Sequence, residues 1–253
     1  MIAGIGFVHT KFNFPCGELH IEILPTYVQK GKRVSIHFEY ENNEEIIELL
    51  LLCNALKKCG MILEGIAMPY VPYGRQDRVN FPGQPLSIEV FANLINSCEA
   101  KVVNITDPHS DVTTALIKNC EVIEQYEALE KYFDESVQDF WLISPDAGAS
   151  KKIYKLAKKV KIKGIIECSK TRDLSTGDIL YVTVHAKDLG YTDCYIVDDI
   201  CDGGKTFIEI AKKLKKINCG KIVLLVTHGF FTKGLDVFHG YIDEIYTKDG
   251  RMK

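Results

Sequence analysis

YIVDDICDGGKTF, Tyr195 to Phe207, is an apolar run that ends in two adjacent carboxylates, Asp198 and Asp199, and passes through Asp202 into Gly203-Gly204-Lys205-Thr206. That order predicts a strand, a tight loop and the start of a helix. At the carboxyl end of a strand, such a loop aims backbone N–H groups and a helix N-terminus at a phosphate, while the Asp pair reaches a ribose diol. The chemistry implied is sugar phosphate binding; a plain solvated turn is the alternative. A Walker A loop is excluded, because the first Gly of G-x-x-x-x-G-K-[ST] would fall at Asp199.

Working outward, the chain alternates strand and helix patterns. Apolar stretches at 34–38, 61–69, 100–105, 139–144, 194–197 and 221–227 predict strands. Amphipathic stretches at 44–59, 86–97, 149–161 and 206–217 predict helices, the first stopped by Gly60. Alternating units of this kind imply an α/β fold with parallel sheets covered on both faces. Two Rossmann-like halves are expected, 1–132 and 133–253, meeting near Leu129 to Val137, with the carboxyl ends of both sheets around a shared cleft.

Composition narrows the function classes. The 253 residues, 46% hydrophobic and 26% charged, suffice for a large core. A net charge of −3 gives no global attraction to nucleic acid or to an anionic membrane, so neither is expected as a partner. No run is long and apolar enough to span a bilayer, and no signal-peptide layout opens the chain. The nine cysteines are odd in number and contain no C-x-x-C pair, which fits reduced thiols in the cytoplasm. The lysines between Lys151 and Lys163 alternate with apolar residues at helical spacing and read as a solvated helix face.

The Asp-Asp-Gly-Gly loop resembles the phosphoribosyl diphosphate (PRPP) binding loop shared by type I phosphoribosyltransferases and ribose-phosphate diphosphokinases, also called PRPP synthetases. Three more segments point to the synthetases. Met68-Pro-Tyr-Val-Pro-Tyr-Gly-Arg-Gln-Asp-Arg78 is similar to their ATP-binding signature, Thr106-Asp-Pro-His-Ser110 to their metal segment, and Ile143-Ser-Pro-Asp-Ala-Gly148 to their ribose segment. All four occur in the family's order.

The resemblance implies two type I phosphoribosyltransferase-like domains and transfer of the diphosphoryl group of ATP to a ribose 1-hydroxyl, with release of AMP. It assigns Arg75, Gln76 and Asp77 to ATP, His109 and Asp146 to Mg²⁺, and Lys170 and Arg172 to a catalytic loop over the transferring phosphates, with His109 also catalytic. Asp146, Asp198, Asp199, Asp202, Gly203, Gly204, Lys205 and Thr206 would hold the ribose phosphate. Phe14 and Glu18 resemble an adenine-binding pair supplied by a neighbouring subunit, which implies a homo-oligomer, a dimer or higher; Cys16 stands where the family usually has Asp, and Phe14 reads equally as core.

Two departures bear on substrate and control. The family's Asp-Thr-Gly-Gly-Thr is Asp202-Gly-Gly-Lys-Thr206 here, so a hydroxyl is lost at Gly203 and a cation is added at Lys205, which suits a 5-diphosphate ester as well as a monoester. The acceptor is therefore ribose 5-phosphate or ADP-ribose, the latter linked to resynthesis of NAD. The family's first strand and helix and its regulatory tail have no clear counterpart, which argues against control by phosphate and ADP and leaves a sheet edge to be covered. A phosphoribosyltransferase and a catalytically silent subunit of the same family remain as alternatives.

Overall fold

A computed structural model describes residues 1–133, 139–172 and 179–252. The chain divides into two compact units, Met1–Ile123 and Glu124–Lys253.

The first unit runs β1 (Ile2–Ile5), β2 (His9–Asn13), β3 (Leu19–Ile23), β4 (Arg33–Phe38), α1 (Glu44–Lys58), β5 (Ile62–Met68), α2 (Ser87–Ser97), β6 (Val102–Thr106), α3 (Asp111–Leu116) and β7 (Cys120–Ile123). Its five-stranded sheet has the order β1-β4-β5-β6-β7. Strands β4 to β7 are parallel, as helical crossovers require, while β1 lies antiparallel on β4. The short strand thus covers the sheet edge that the sequence left open beside β4.

Strands β2 and β3 form a separate hairpin whose Ile21 and Ile23 join the core of this unit. Buried Glu48 of α1 ties the hairpin down. It accepts from Lys11 Nζ at 2.6 Å and lies 3.3 Å from His9 Nε2. The hydrogen bond that Lys11 donates to Glu48 outweighs its desolvation and holds the ammonium above its ordinary pKa.

The second unit runs α4 (Gln125–Leu129), β8 (Trp141–Ser144), α5 (Ala147–Ala157), β9 (Gly164–Arg172), β10 (Ile179–Val184), β11 (Cys194–Cys201), α6 (Lys205–Lys215), β12 (Ile222–Gly229), β13 (Glu244–Thr247) and β14 (Gly250–Arg251). Its seven-stranded sheet has the order β10-β9-β8-β11-β12-β13-β14. The inner strands β9, β8, β11, β12 and β13 are parallel, and the outer β10 and β14 antiparallel, so the sheets are mixed at their edges rather than wholly parallel. Segment 124–132, assigned by sequence to the first half, belongs here. Leu129 is in the core, and Tyr132 donates its hydroxyl to the Thr247 carbonyl at 2.6 Å.

β11 is the central strand, and its run of apolar side chains is buried on both faces. Ile196 and Cys194 pack in the same cluster as Phe207, Ile210 and Leu214 of α6, whereas Tyr195 and Val197 pack with Ile153 and Leu156 of α5. The strand also continues through the aspartates to Cys201, where the sequence had ended it at Val197. α5 starts at Ala147 and ends at Ala157, earlier at both ends than its apolar periodicity indicated.

Gly204 closes the turn into α6 with φ +76°, and a Cβ there would lie 2.3 Å from Cζ of the buried Phe238 ring. Gly204→Ala is therefore expected to destabilise the protein by more than the roughly 1–2 kcal/mol of a left-handed L-residue. Urea unfolding of Gly204→Ala and of Gly204→Ala with Phe238→Leu checks this, the second change recovering part of the loss.

Candidate active site

The second unit gathers its polar side chains where β11 outruns β8. The two strands pair only from Cys194–Trp141 to Ile196–Ile143, whereas pairing with β12 extends to Cys201–Gly229. Beyond Ser144 the chain turns away into Asp146, which caps α5 by accepting from the Ala149 amide at 3.1 Å. Asp198 and Asp199, beyond the last residue of β11 that pairs with β8, come near that turn.

Lysines from two elements neutralise this concentration of charge. Lys170 of β9 forms an ion pair with Asp146 Oδ2, and Lys152 of α5 lies 3.6 Å from Asp199 Oδ2. Burial would raise the Asp146 carboxyl, but the Lys170 hydrogen bond and charge and the amides of Ala149 and Gly148 outweigh it and hold the group below its ordinary range. Asp198 behaves oppositely. Part of its side chain reaches the surface, yet desolvation among the surrounding atoms, followed by the charges of Asp199 and Asp146, pushes its carboxyl well above the ordinary value.

Alternation along β11 puts the two aspartates on opposite faces of the sheet, Asp199 on the α5 side with Lys152 and Asp198 on the α6 side. The sequence treated them as one diol-binding pair. Across the strand they stay electrostatically linked, Asp199 being the strongest charge acting on Asp198, ahead of Asp146, while Asp199 also has Lys152 beside it.

The loop 202–204 then delivers the chain to α6. Gly204 is the cap residue, and α6 starts at Lys205 directly after it, so the loop ends on the amide-bearing N-terminus of a helix. The loop is braced from the end of β12. Phe230 and Phe231 both donate backbone N–H to the Cys201 carbonyl, at 2.8 and 3.3 Å. Thr232 Oγ1 donates to Asp202 Oδ1 at 2.7 Å. Asp202 therefore serves the bracing of the loop.

In the first unit, the signature segment after β5 makes a turn at Tyr73, φ +63°, whose hydroxyl donates to Asn43 Oδ1 at 2.6 Å. Gly74 lies against the loop after β6, where a Cβ on it would be 3.8 Å from His109 Cβ. Gln76 accepts from the Ser87 hydroxyl, and Arg75 is exposed. Asp77 accepts from Arg78 Nε at 3.0 Å; although desolvation opposes it, Arg78, Ser110 and His109 together hold its carboxyl below the ordinary range. The structure thus brings Arg75, Gln76, Asp77 and His109 together on two adjacent loops at the carboxyl ends of parallel strands.

Phe14 and Glu18 bound the turn of the β2–β3 hairpin, Phe14 N–H donating to the Glu18 carbonyl at 2.8 Å. Phe14 is not a core residue. It is exposed and stands edge-on to Phe12 with ring centres 5.2 Å apart. Arg172 ends β9, and its side chain, like residues 173–178, lies outside the described residues.

The donor set can be tested against Mg²⁺. Among the described residues no three His, Cys, Asp or Glu side chains cluster to hold a metal. Mg²⁺ commonly keeps several waters and takes one or two carboxylates plus phosphate oxygens, so a dedicated cage is not needed. Asp146 fits such a role through Oδ2 once Lys170 moves off it; the nitrogen of His109 is a poorer match for a hard cation.

Sequence reasoning missed two cations. Lys152 belongs to the run read as a solvated face, but it turns inward to Asp199. Its signal was available, since it sits beside Ile153 near the start of the helix that Asp146 caps. Lys233, on the bracing loop, lies along Gly203 and belongs to no motif.

Comparison with known proteins places this geometry. The N-terminal domain of ribose phosphate pyrophosphokinase matches residues 9–98. The chain is 30% identical over 226 residues to the ribose-phosphate pyrophosphokinase of Pyrococcus abyssi, covering 87% of this chain and 76% of that one. It is 28% identical over 239 residues to the enzyme of that name from Mycoplasmopsis pulmonis, covering 93% and 74%. The fold is similar to the crystal structure of phosphoribosylpyrophosphate synthetase from Mycobacterium smegmatis, with a TM-score of 0.80 over 95% of this chain and 80% of that chain at 20% identity. With its strand-end carboxylates, its glycine loop and this shared sequence along most of its length, the chain belongs to the ribose-phosphate pyrophosphokinase family.

Proposed function

We propose that the protein transfers the β,γ-diphosphoryl group of Mg-ATP to the anomeric hydroxyl of a ribose bearing a 5-phosphoryl group, releasing AMP. The observation that supports this reading is the placement, at one strand end, of Asp198 beside Asp146, itself paired with Lys170, ahead of the glycine turn into the N-terminus of α6. Carboxylates orient sugar hydroxyls, and helix amides bind a phosphoryl group. A loop of that kind after a strand serves a phosphosugar better than a nucleoside triphosphate.

Each residue has a role in this scheme. Amides of Gly203, Gly204, Lys205 and Thr206 hold the 5-phosphoryl group, and Asp198, helped by Asp146, orients the ribose hydroxyls. Arg75, Gln76 and Asp77, with His109 beside them, serve the nucleotide. Lys170 exchanges Asp146 for the transferring phosphoryl oxygens, where negative charge develops, and Arg172 acts with it. Asp146 would help to hold a divalent cation, which would supply further neutralisation of that charge. Asp199, paired with Lys152, keeps the electrostatics of the strand end in place.

Ribose 5-phosphate and ADP-ribose both carry the required groups. The names of the relatives support the first; Lys205, where the family has Gly, supports the second. AMP release from Mg-ATP with each acceptor in parallel, and the mass of each product, decides. A gain of one diphosphate on either sugar is expected, and no AMP with either overturns the reading.

Lys170→Ala is expected to lower the rate of AMP formation by about 10²–10³-fold, the usual scale for removing one donor from a developing oxyanion, with a much smaller change in KM for ATP. Steady-state kinetics checks it.

Asp198→Asn separates function from stability. A carboxyl raised in the folded state contributes stability below its unfolded pKa, and that contribution is lost as pH rises through the raised value. The ligand-free variant should therefore melt above wild type at neutral pH, on a scale of about 2–4 °C per kcal/mol, and level with it in acid. Its KM for the acceptor should rise. Melting curves across pH, read beside kinetics, test both halves.

A further inference from the structure

We propose that Lys233 is a specificity-determining residue of the acceptor site, its ammonium binding the 5-phosphoryl group of the sugar from the side opposite the N-terminal amides of α6. This rests on the reading of the 202–206 loop as the phosphoryl site, and adds to it a residue outside every motif of the chain.

Three observations carry the assignment. The first is position. The stem of Lys233 lies along Gly203, its Cε, Cδ and Cγ 3.4, 3.5 and 3.6 Å from where a Cβ on that glycine would stand. A side chain at 203 would come between the lysine and the loop; with glycine there, the ammonium is one bond beyond a carbon already at van der Waals distance from it.

The second is rigidity of the backbone that presents it. Residue 232 is fastened to Asp202 through its hydroxyl, Phe230 and Phe231 are fastened to Cys201, and Gly234 N–H closes a turn on the Phe231 carbonyl at 2.7 Å. The Phe231 ring stands edge-on to buried Phe238, centres 6.0 Å apart. Phe238 is the same ring that fills the space beside Gly204. The lysine is therefore carried on a brace whose geometry is set by the loop it overlooks.

The third is its charge. Other lysines of this unit meet carboxylates, as Lys152, Lys170 and Lys221 do with Asp199, Asp146 and Glu244. The ammonium of Lys233 has no hydrogen bond or ion pair among the described residues, and it is exposed at the lip of the glycine loop. An anion held by the α6 amides would give it a partner. A phosphomonoester dianion and a diphosphate ester share that chemistry, and the acceptor used in the assay distinguishes them.

Calorimetric titration of the full chain, with Mg²⁺ and a non-transferable ATP analogue present, tests the proposal using ribose 5-phosphate, ADP-ribose and unphosphorylated ribose. Lys233→Met, which keeps the stem and removes the charge, should weaken the phosphorylated acceptor that wild type binds by about 10-fold or more, the scale of a charged hydrogen bond. It should leave the ATP analogue and ribose unaffected, and Lys233→Arg should retain most of the affinity. Binding of that acceptor by Lys233→Met within two-fold of wild type overturns the role of Lys233 and leaves the phosphoryl-site reading standing. Failure of wild type to bind either phosphorylated acceptor overturns that reading and this inference with it.

Discussion

The second unit depends on a mismatch in strand length. β11 runs past the end of β8 while remaining paired to β12, so polar side chains on its last residues stand beside a turn rather than another strand. In the middle of a parallel sheet a pair of aspartates would have to be desolvated with no partner available. At this notch Asp199 meets the lysine of α5, and Asp198 lies near Asp146, the cap of α5, which the lysine of β9 neutralises. Shortening β8 is thus what makes a carboxylate-rich strand end compatible with a buried central strand.

Charge balance there is unequal by construction. Asp146 and Asp199 each have a lysine, whereas Asp198 has burial and repulsion and, among the described residues, no ion pair with an ammonium. The ligand-free protein therefore carries its least favourable electrostatics at a position aimed away from the compensating Lys152. Such sites are common where a protein must offer a hydrogen-bonding group to something it has not yet bound.

Much of this was legible before any coordinates. The apolar run into Asp198 and the two glycines specify strand, loop and helix because each signal is local: burial sets the run, φ sets Gly204, and the amphipathic face sets α6. The loops carrying Arg75 and His109 were equally readable, since Pro and Gly mark them. What the sequence did not disclose depends on pairing. Nothing local says that β11 continues beyond Val197, because Asp is a poor strand former and only the hydrogen bonds from β12 hold it extended. In a Lys-rich helix, only the place of Lys152 beside Ile153 hints that it turns inward. β1, β9 and the β2–β3 hairpin were missed for the same reason: their residues are half exposed and their register is tertiary information. Lys233 was invisible because its significance lies in a neighbour remote in sequence.

The glycine loop has two adjacent positions with very different latitude. At 204 both the backbone angle and the Phe238 ring forbid a side chain; at 203 the nearest atoms are the carbons of an exposed lysine at ordinary contact distance. Divergence in this lineage therefore has an easy route and a closed one. Residue 203 and its lysine companion can drift together, altering what the loop accepts, while 204 and Phe238 preserve the turn that makes any acceptance possible. A change of diet need not disturb the architecture.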